Sequence, residues 1–385
     1  MKTIGRRLKP DLKFPGFRFL LKPLTQILLA GSVVTASKSE AETFGYSLAF
    51  GGDYATNPKL ESEAKDAVYS GLIKPKMWLQ WQAPSRSLNV NAGLNLVESS
   101  NTDLINDRND PNLSLTYSEN RSRSALSTTA NYRETSTLVS ELYDTGKINS
   151  DETRIDSEAS IDWQYQLAER SEIGLSGGLS DVKYSSDDFV SYQVGNLGTY
   201  LQHQASEQFS GQLALKAQLL SPEIDTAKTS ELVGLLLNMR FQISENAASE
   251  FGVETIYTEG SENASDEIDW NGFFKISFLG KKTRYQAVYA RETTPSGLGR
   301  FVTADSLKVN FSYLYSPKTE FNISASLRDV DSLERNRVSL LELQAKHRIM
   351  DRWSSRIAWQ YKYLDRIEMA KANVISFSLN YSLVD

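Results

Sequence analysis

The stretch Leu307–Leu327, LKVNFSYLYSPKTEFNISASL, contains two runs in which apolar and polar residues alternate, separated by the polar segment 316–319. Successive side chains of a β-strand point to opposite faces, so each run predicts a strand with one apolar and one polar face. A short polar segment between two such runs predicts a hairpin of antiparallel strands. The same alternation returns at 88–96, 161–167, 357–361 and 375–383.

About 18 segments of this kind can be counted along the chain. Two of them are irregular. The segment 74–82 contains Pro75, and the segment 188–202 changes phase near Gly195, which predicts a β-bulge. If neither segment is a strand, the count falls to 16.

The connections between the segments switch between short and long. Short connections lie near 84–86, 119–123, 168–171, 204–208, 244–248, 279–282, 316–319 and 350–352, and long ones at 55–73, 98–111, 133–156, 183–188, 221–229, 259–269, 292–304, 329–336 and 364–371. Outer-membrane barrels have short periplasmic turns and longer outside loops. The sequence therefore predicts an all-β fold, an antiparallel up-and-down transmembrane β-barrel, placed in the outer membrane of a Gram-negative bacterium.

The first 41 residues differ from the rest of the chain. A basic region precedes the apolar stretch Leu24–Ala36, and small residues follow it. This order predicts a secretory signal peptide at 1–41, cleaved after Ala36 or Ala41, and a barrel at 42–385. A twin-arginine signal at Arg6-Arg7 is less favoured, because the pair lies far from the apolar stretch and barrels travel unfolded.

The composition agrees with a barrel whose lumen contains water. The mean hydropathy is −0.40, and residues 42–385 carry 34 basic and 46 acidic side chains. The acidic residues concentrate in the predicted long loops, which argues against nucleic-acid binding. The chain contains no cysteine, which excludes a lipoprotein anchor, a disulfide framework and a thiolate metal site.

The apolar face of each segment is predicted to meet the lipid bilayer, because the lumen of a barrel of about 18 strands is too wide for side chains to fill. Aromatic residues at the segment ends predict two girdles at the membrane interfaces. Those near the short turns include Phe209, Phe241 and Trp353, and those toward the long loops include Tyr257 and Tyr289.

The polar face then lines the lumen, and in the second half of the chain it carries many cations. By strand phase these are Arg240, Lys275, Arg284, Lys308, Arg328, Lys346, Arg348, Arg356 and Lys362. The clear lumenal acids there are Glu254, Glu320 and Glu342, and Phe273 is the one convincing lumenal aromatic. The lumenal face of the first half is expected to be almost uncharged, with Asp162 as its main charge.

Two interpretations of these cations stay open. They form an electropositive wall that guides an anionic solute, since charged linings set the selectivity of a pore. Alternatively, they pair with carboxylates of loops that fold into the lumen.

Catalysis is not indicated. The two histidines, His203 at a short turn and His347 on the lipid-facing phase, have no neighbouring nucleophile or orienting acid. No metal-ligand spacing is present, and no cofactor is predicted.

The segment 291–300, RETTPSGLGR, carries a resemblance. It is followed by a short apolar strand, a turn at 316–319 and another strand, and its Ser296, Gly297 and Gly299 match a Ser-Gly-x-Gly loop. In these residues the chain resembles the outer-membrane β-barrels encoded with exopolysaccharide export systems, including the exosortase/PEP-CTERM-associated group. The resemblance implies a channel that passes a secreted polysaccharide and works with a periplasmic polysaccharide export protein.

Two other functions remain beside the polysaccharide channel. One is a general diffusion porin for small solutes, anions among them. The other is a non-conducting barrel used in adhesion or assembly. A glycine-rich outside loop such as 296–300 is able to fold into the mouth of the barrel, since glycine permits a tight backbone. An ordinary mobile surface loop is the alternative reading of the same residues.

Overall fold

The computed structural model describes residues 41–62, 66–145, 150–224, 228–259, 267–331, 336–366 and 369–384. Its strands are β1 (Ala41–Thr56), β2 (Ala67–Ala83), β3 (Arg86–Ser99), β4 (Arg108–Asn120), β5 (Ser124–Ser136), β6 (Thr153–Ala168), β7 (Ser171–Tyr184), β8 (Tyr192–Gln204), β9 (Phe209–Pro222), β10 (Ser230–Ser244), β11 (Ala247–Glu259), β12 (Glu267–Leu279), β13 (Thr283–Pro295), β14 (Phe301–Ser316), β15 (Thr319–Asp331), β16 (Asn336–Arg348), β17 (Trp353–Asp365) and β18 (Met369–Val384). One helix, α1 (Thr137–Asp144), lies between β5 and β6.

Each strand pairs antiparallel with its neighbours in sequence, and β18 also pairs with β1. The sheet is therefore a closed up-and-down barrel, and the prediction of 18 strands is confirmed. The alternative of 16 strands is wrong, because both irregular segments contribute strands, β2 and β8. The predicted signal peptide and its cleavage sites lie outside the described residues, apart from Ala41 at the start of β1.

The bulge predicted near Gly195 is wrong. The register of β8 with both β7 and β9 continues past Gly195 without a shift. The apparent change of phase has another cause. Tyr192 and Val194 are apolar residues on the lumenal face of β8, and both are buried. Apolar side chains thus change from the lumenal face at the start of β8 to the lipid face at Leu197 and Leu201.

The lipid-facing side of the barrel is apolar, as the phases predict. On β9 and β10 large apolar side chains are exposed on this face, and they are Leu213, Leu215, Leu219, Val233, Leu235, Leu237, Phe241 and Ile243. Aromatic pairs lie at the short-turn end of this face, where the ring centroids of Phe209 and Phe241 are 4.8 Å apart and those of Trp353 and Tyr381 are 5.1 Å apart. This arrangement agrees with the girdles of membrane barrels.

The outer loops of the second half are shorter than predicted. Inside the expected loops 292–304, 329–336 and 364–371, β13 continues to Pro295 and β14 begins at Phe301, β15 continues to Asp331 and β16 begins at Asn336, and β17 continues to Asp365 and β18 begins at Met369. The alternation of short and long connections is therefore clear from β1 to β12 and weak afterwards. Of the residues that the structure describes, none forms a helix long and apolar enough to cross a membrane.

Charged residues caused this error, because their side chains look like loop residues in the sequence. Arg291, Asp305, Asp329, Arg337 and Asp365 lie directly opposite one another in the successive strands β13 to β17. Two ion pairs connect the row, Arg291–Asp305 at 3.1 Å and Arg337–Asp329 at 2.8 Å. Opposite charges face each other at every step of the row except Asp305 and Asp329, and such cross-strand pairs stabilise a sheet, so these residues continue the strands. We call them the outer charged row.

Candidate transport channel

The lumenal side chains at the outer ends of the strands are apolar and buried. Ten of them, each at most 4% exposed, come from ten different strands: Val68, Val182, Leu220, Leu232, Ile256, Val302, Val330, Val338, Leu364 and Ala372. We call this ring the apolar collar. A lumen filled with water to its outer rim would leave these side chains exposed. Protein segments must therefore cover the collar.

The outer loops supply this cover. Leu60, Leu138 and Leu142 form one cluster with collar residues of β16, β17 and β18. Leu298 packs against the collar residues of β14 and β15. Full burial of a leucine side chain contributes roughly 1.5–3 kcal/mol, so several such contacts hold the loops inside the mouth. The outer end of the lumen is thus packed like a protein core, which sequence phases did not predict.

Helix α1 is the main obstruction in the mouth. It begins where the Ser136 hydroxyl accepts a hydrogen bond of 3.1 Å from the backbone N–H of Leu138, a standard N-cap. Leu138 and Leu142 are four residues apart and lie on one face of the helix, which packs on the collar. Val139 points away from this face and is exposed. The helix therefore has one side on the wall and one side toward open space.

A buried ion network attaches α1 to the barrel wall. The guanidinium of Arg154, on β6, lies 2.9 Å from the Glu141 carboxylate and 2.8 Å from that of Asp156. It also contacts Asp144 at the end of α1. The Tyr184 hydroxyl, on β7, donates a hydrogen bond of 2.9 Å to the same Glu141 oxygen. Three of these residues belong to the wall, so α1 is held by β6 and β7.

The Glu141 carboxyl is fully buried, and its second oxygen, Oε2, has no hydrogen-bond partner among the described residues. Burial raises the pKa of Glu141 above its ordinary value, against the opposing effect of Arg154. The backbone of Gly297 passes beside this oxygen. A Cβ at residue 297 would lie 2.9 Å from Oε2 and 2.8 Å from the Tyr184 hydroxyl, so only glycine fits without a shift.

The loop 296–300, which carries the Ser-Gly-x-Gly segment, folds into the mouth and packs there. The Ser296 hydroxyl donates to the Arg300 carbonyl at 3.0 Å, and Gly299 adopts a φ of +70°. The backbone N–H of Val190 donates to the Gly297 carbonyl at 2.8 Å. In this position the segment joins the loop 185–191 to α1, and its residues act as packing and turn residues.

A second buried network joins two further loops. The Arg108 guanidinium, on β4, contacts Asp110 at 2.8 Å and Asp151 at 3.2 Å. Asp151 in turn accepts a hydrogen bond of 2.7 Å from the backbone N–H of Asn106. The loop 100–107 and the segment that follows α1 are therefore fixed to each other and to the wall. Neither network was predicted from the sequence, because each depends on contacts between distant segments.

The nine cations expected in the lumen all lie in strands at lumenal positions. Three of them have ion partners: Lys275–Glu250 at 3.7 Å, Arg328–Glu292 at 3.2 Å and Arg356–Glu342 at 3.0 Å. These partners come from the wall strands β11, β13 and β16 and not from the outer loops. Glu250 and Glu292 were missing from the predicted acids, the latter because it was assigned to a loop.

The other six cations have no carboxylate within 4.0 Å in the part of the chain that the structure describes. Five of them, Arg240, Arg284, Lys308, Lys346 and Arg348, are exposed in the lumen below the packed mouth. Four of these five lie on β13 to β16. We call these four residues, Arg284, Lys308, Lys346 and Arg348, the basic wall.

The expectation that the first half of the lumen is almost uncharged is wrong. Glu158 and Asp162 on β6 and Glu172 on β7 face the lumen with no cation within 4.0 Å among the described residues. In a closed barrel of 18 strands, β6 and β7 lie about half the circumference from β15. The acidic side chains therefore stand opposite the basic wall, and an electric field crosses the lumen between them.

Lumenal aromatic residues are also more numerous than predicted. Beside Phe273, the rings of Trp78 and Tyr200 lie on the lumenal face. Each ring covers a glycine of a neighbouring strand: a Cβ at Gly45 would lie 2.2 Å from Trp78, and one at Gly174 would lie 2.0 Å from Tyr200. The missing side chain of glycine thus gives space for a large ring against the wall.

The histidines lie where the sequence predicts them, at the short-turn ends of β8 and β16. Nδ1 of His203 is 2.9 Å from the Ser171 hydroxyl, and Nδ1 of His347 is 2.9 Å from the Thr319 hydroxyl. No third group completes either pair into a triad in these contacts. Among the described residues, no cluster of three histidine, aspartate or glutamate side chains is able to hold a metal ion.

No family model matches the chain, and no curated protein matches it either. Solved structures do. The chain resembles OccAB4 of Acinetobacter baumannii with a TM-score of 0.51 and 10% sequence identity, over 90% of this chain and 99% of that chain. The outer membrane protein opdK from Pseudomonas aeruginosa gives the same four values. At such low identity, the similarity shows a shared fold.

The shared fold is the transmembrane barrel, so the predicted fold class is confirmed by both the strand order and these relatives. Neither relative is described as a polysaccharide channel or as an enzyme. The similarity therefore offers no support for the exopolysaccharide resemblance of residues 291–300.

Proposed function

We propose that this chain is a diffusion channel for small solutes in the outer membrane of a Gram-negative bacterium, and that its lumen favours anions. The observation that carries the proposal is the exposed basic wall, with the unpaired Arg284, Lys308 and Lys346, facing acidic residues across a closed barrel. Charged linings of this kind set the ion selectivity of a pore and raise the local concentration of counter-ions. No catalytic role is proposed.

The packed mouth supports small solutes over a polymer. Helix α1 and the loops that cover the apolar collar pack inside the outer end of the lumen. A polysaccharide chain would have to displace these contacts as a continuous thread. A small solute needs only the space beside the exposed face of α1, at Val139.

A polysaccharide channel with a periplasmic export partner stays a prediction from the resemblance. Its main support was the Ser-Gly-x-Gly segment. Ser296, Gly297 and Gly299 have packing and turn roles in the mouth, and these roles explain the residues without a sugar ligand. We therefore place the polysaccharide channel behind the diffusion channel.

Single-channel recording of the purified barrel in a planar bilayer tests the proposal. We expect discrete conductance steps and a reversal potential in a KCl gradient that corresponds to anion selectivity. Cation selectivity would contradict the proposed role of the basic wall. Complete absence of conductance, with the barrel shown to be folded by its heat-modifiable migration in electrophoresis, would favour an adhesion or assembly barrel.

A further inference from the structure

A cavity of about 260 Å³ lies between α1 and the wall formed by β17, β18 and β1 to β5. This wall adjoins the basic wall on one side, where β17 pairs with β16, but shares no residue with it. Leu72, Val97 and Val374 line the wall side of the cavity, and Leu138 of α1 lines the opposite side. The cavity is slightly smaller than the roughly 300 Å³ at which the ligand clefts of proteins begin, so it has room only for a small molecule.

Six charged side chains also line the cavity, three of each sign. The positive charge of Arg108 is paired with two of the three carboxylates, those of Asp110 and Asp151. The remaining three are Asp53, Lys74 and Lys362. None of these three has an ion partner within 4.0 Å among the described residues. The cavity thus presents charges of both signs that form no ion pair within 4.0 Å, although Asp53 interacts electrostatically with Lys362, on a surface that is otherwise largely apolar.

Charged groups at an apolar surface lose part of their hydration, and this loss is costly unless a partner of opposite charge replaces the water. A monoanion would pair with a lysine and leave Asp53 unpaired and close to a like charge. A monocation would leave both lysines unpaired. A molecule that carries a carboxylate and an ammonium group satisfies both signs together, while an apolar body contacts Leu72, Val97 and Leu138.

We propose that this cavity binds a small zwitterion with an apolar body, which is the chemistry of an aliphatic α-amino acid. The carboxylate of the zwitterion pairs with Lys74 and Lys362, and its ammonium group pairs with Asp53. The inference rests on the proposed function only for the route by which the molecule reaches the cavity. Binding itself does not require that the barrel conducts ions.

The test is calorimetric titration of the full barrel in detergent with four probes that share one branched apolar body: leucine, 4-methylpentanoate, 3-methylbutylamine and 4-methylpentanamide. We expect leucine to bind most tightly. Lys362→Met and Asp53→Asn should each weaken leucine binding by about tenfold or more, since a charged hydrogen bond contributes roughly 1.5–3 kcal/mol. Asp53→Asn should also reverse the preference between leucine and 4-methylpentanoate.

Lys308→Met is the matched control, because Lys308 is an unpaired lumenal lysine of the basic wall that does not line the cavity. It should leave leucine binding unchanged. Equal affinity of the wild-type barrel for leucine and 4-methylpentanoate would overturn the proposal, as would undiminished leucine binding by Lys362→Met. Bilayer conductance is measured on the same preparations. Loss of conductance with intact leucine binding would refute the channel and not the site, and the reverse result would refute the site alone.

Discussion

The two ends of the lumen share the same eighteen strands and differ in almost every other respect. At the outer end, the lumenal side chains of the collar are apolar, buried and covered by loops, and the charges of Arg108 and Arg154 are paired. In the periplasmic half, Arg284, Lys308 and Lys346 are exposed and unpaired. The same barrel wall is therefore packed like a hydrophobic core at its outer end and forms a water-exposed surface at its periplasmic end. Substitutions at the outer end should therefore change stability and opening, whereas those below it should change selectivity.

The largest effect is expected from Arg154→Ala, which removes the cation shared by Glu141, Asp144 and Asp156. Breaking a buried ion pair from one side costs about 3–5 kcal/mol, so α1 should leave the mouth. We expect increased single-channel conductance and faster proteolysis near α1. Arg133→Ala is the control, because Arg133 pairs with Asp156 at an exposed position, where a salt bridge contributes little. Equal behaviour of the two variants would contradict the anchoring role of Arg154.

A smaller effect is expected from Gly297→Ala. The added methyl group would meet the Glu141 carboxyl and the Tyr184 hydroxyl at less than 3.0 Å, and such overpacking costs roughly 1–3 kcal/mol. The loop 296–300 should then release α1 part of the time, which is visible as frequent opening events in bilayer recordings. Gly177→Ala is the matched control, since its new methyl would have ordinary contacts of 3.5 Å or more. An unchanged frequency of opening events in Gly297→Ala would argue against the packing described for this loop.

The periplasmic half should respond in selectivity and not in stability. The double variant Arg284→Ala/Lys308→Ala removes two unpaired cations, and we expect the anion-to-cation permeability ratio to fall roughly two- to fivefold, as local potentials of a few kT decrease. The control is Arg356→Ala/Glu342→Ala, which removes one ion pair and no net charge. If the control changed the ratio as much as the test variant, the basic wall would not be the source of selectivity.

The smallest effect is expected from a change of pH, which alters the protonation of Glu141 and thereby the docking of α1 at the outer end. Burial raises the pKa of Glu141, so docked α1 holds the Glu141 proton more tightly than a released helix would. This contribution to docking is complete below the ordinary pKa of a glutamate and is lost as pH rises through the raised value. We expect more opening events at alkaline than at acidic pH, and Glu141→Gln should remove the difference. A stronger pH dependence in Glu141→Gln than in the wild type would exclude Glu141 as the responsible group.

Local alternation was sufficient to predict the strands and their phases, because each strand has one polar and one apolar face. The role of the nine cations as the lining of a channel stays a prediction. Local alternation was insufficient at the mouth. Leu138, Leu142 and Leu298 look like isolated apolar residues in polar loops, and only their contacts with distant strands explain them. The same limit applied to Tyr192 and Val194, whose lumenal burial was mistaken for a bulge. Which lumenal charges are paired also depends on register, which one strand alone does not determine.

The outer charged row sets the thickness of membrane that fits this barrel. On β15, Phe321 lies at the short-turn end with its ring 6.2 Å from that of Tyr315, and the row residue Asp329 is eight positions further along the strand. At about 3.3 Å per residue and a strand tilt of about 40°, they differ in height by roughly 20 Å. The apolar band of an outer-membrane barrel is about 25 Å tall, so a bilayer that matches this band would have to thin by a few ångströms around β13 to β17 to leave the row in water. Lipids with short acyl chains should therefore gather at this side of the barrel, and reconstitution should proceed best in thin bilayers.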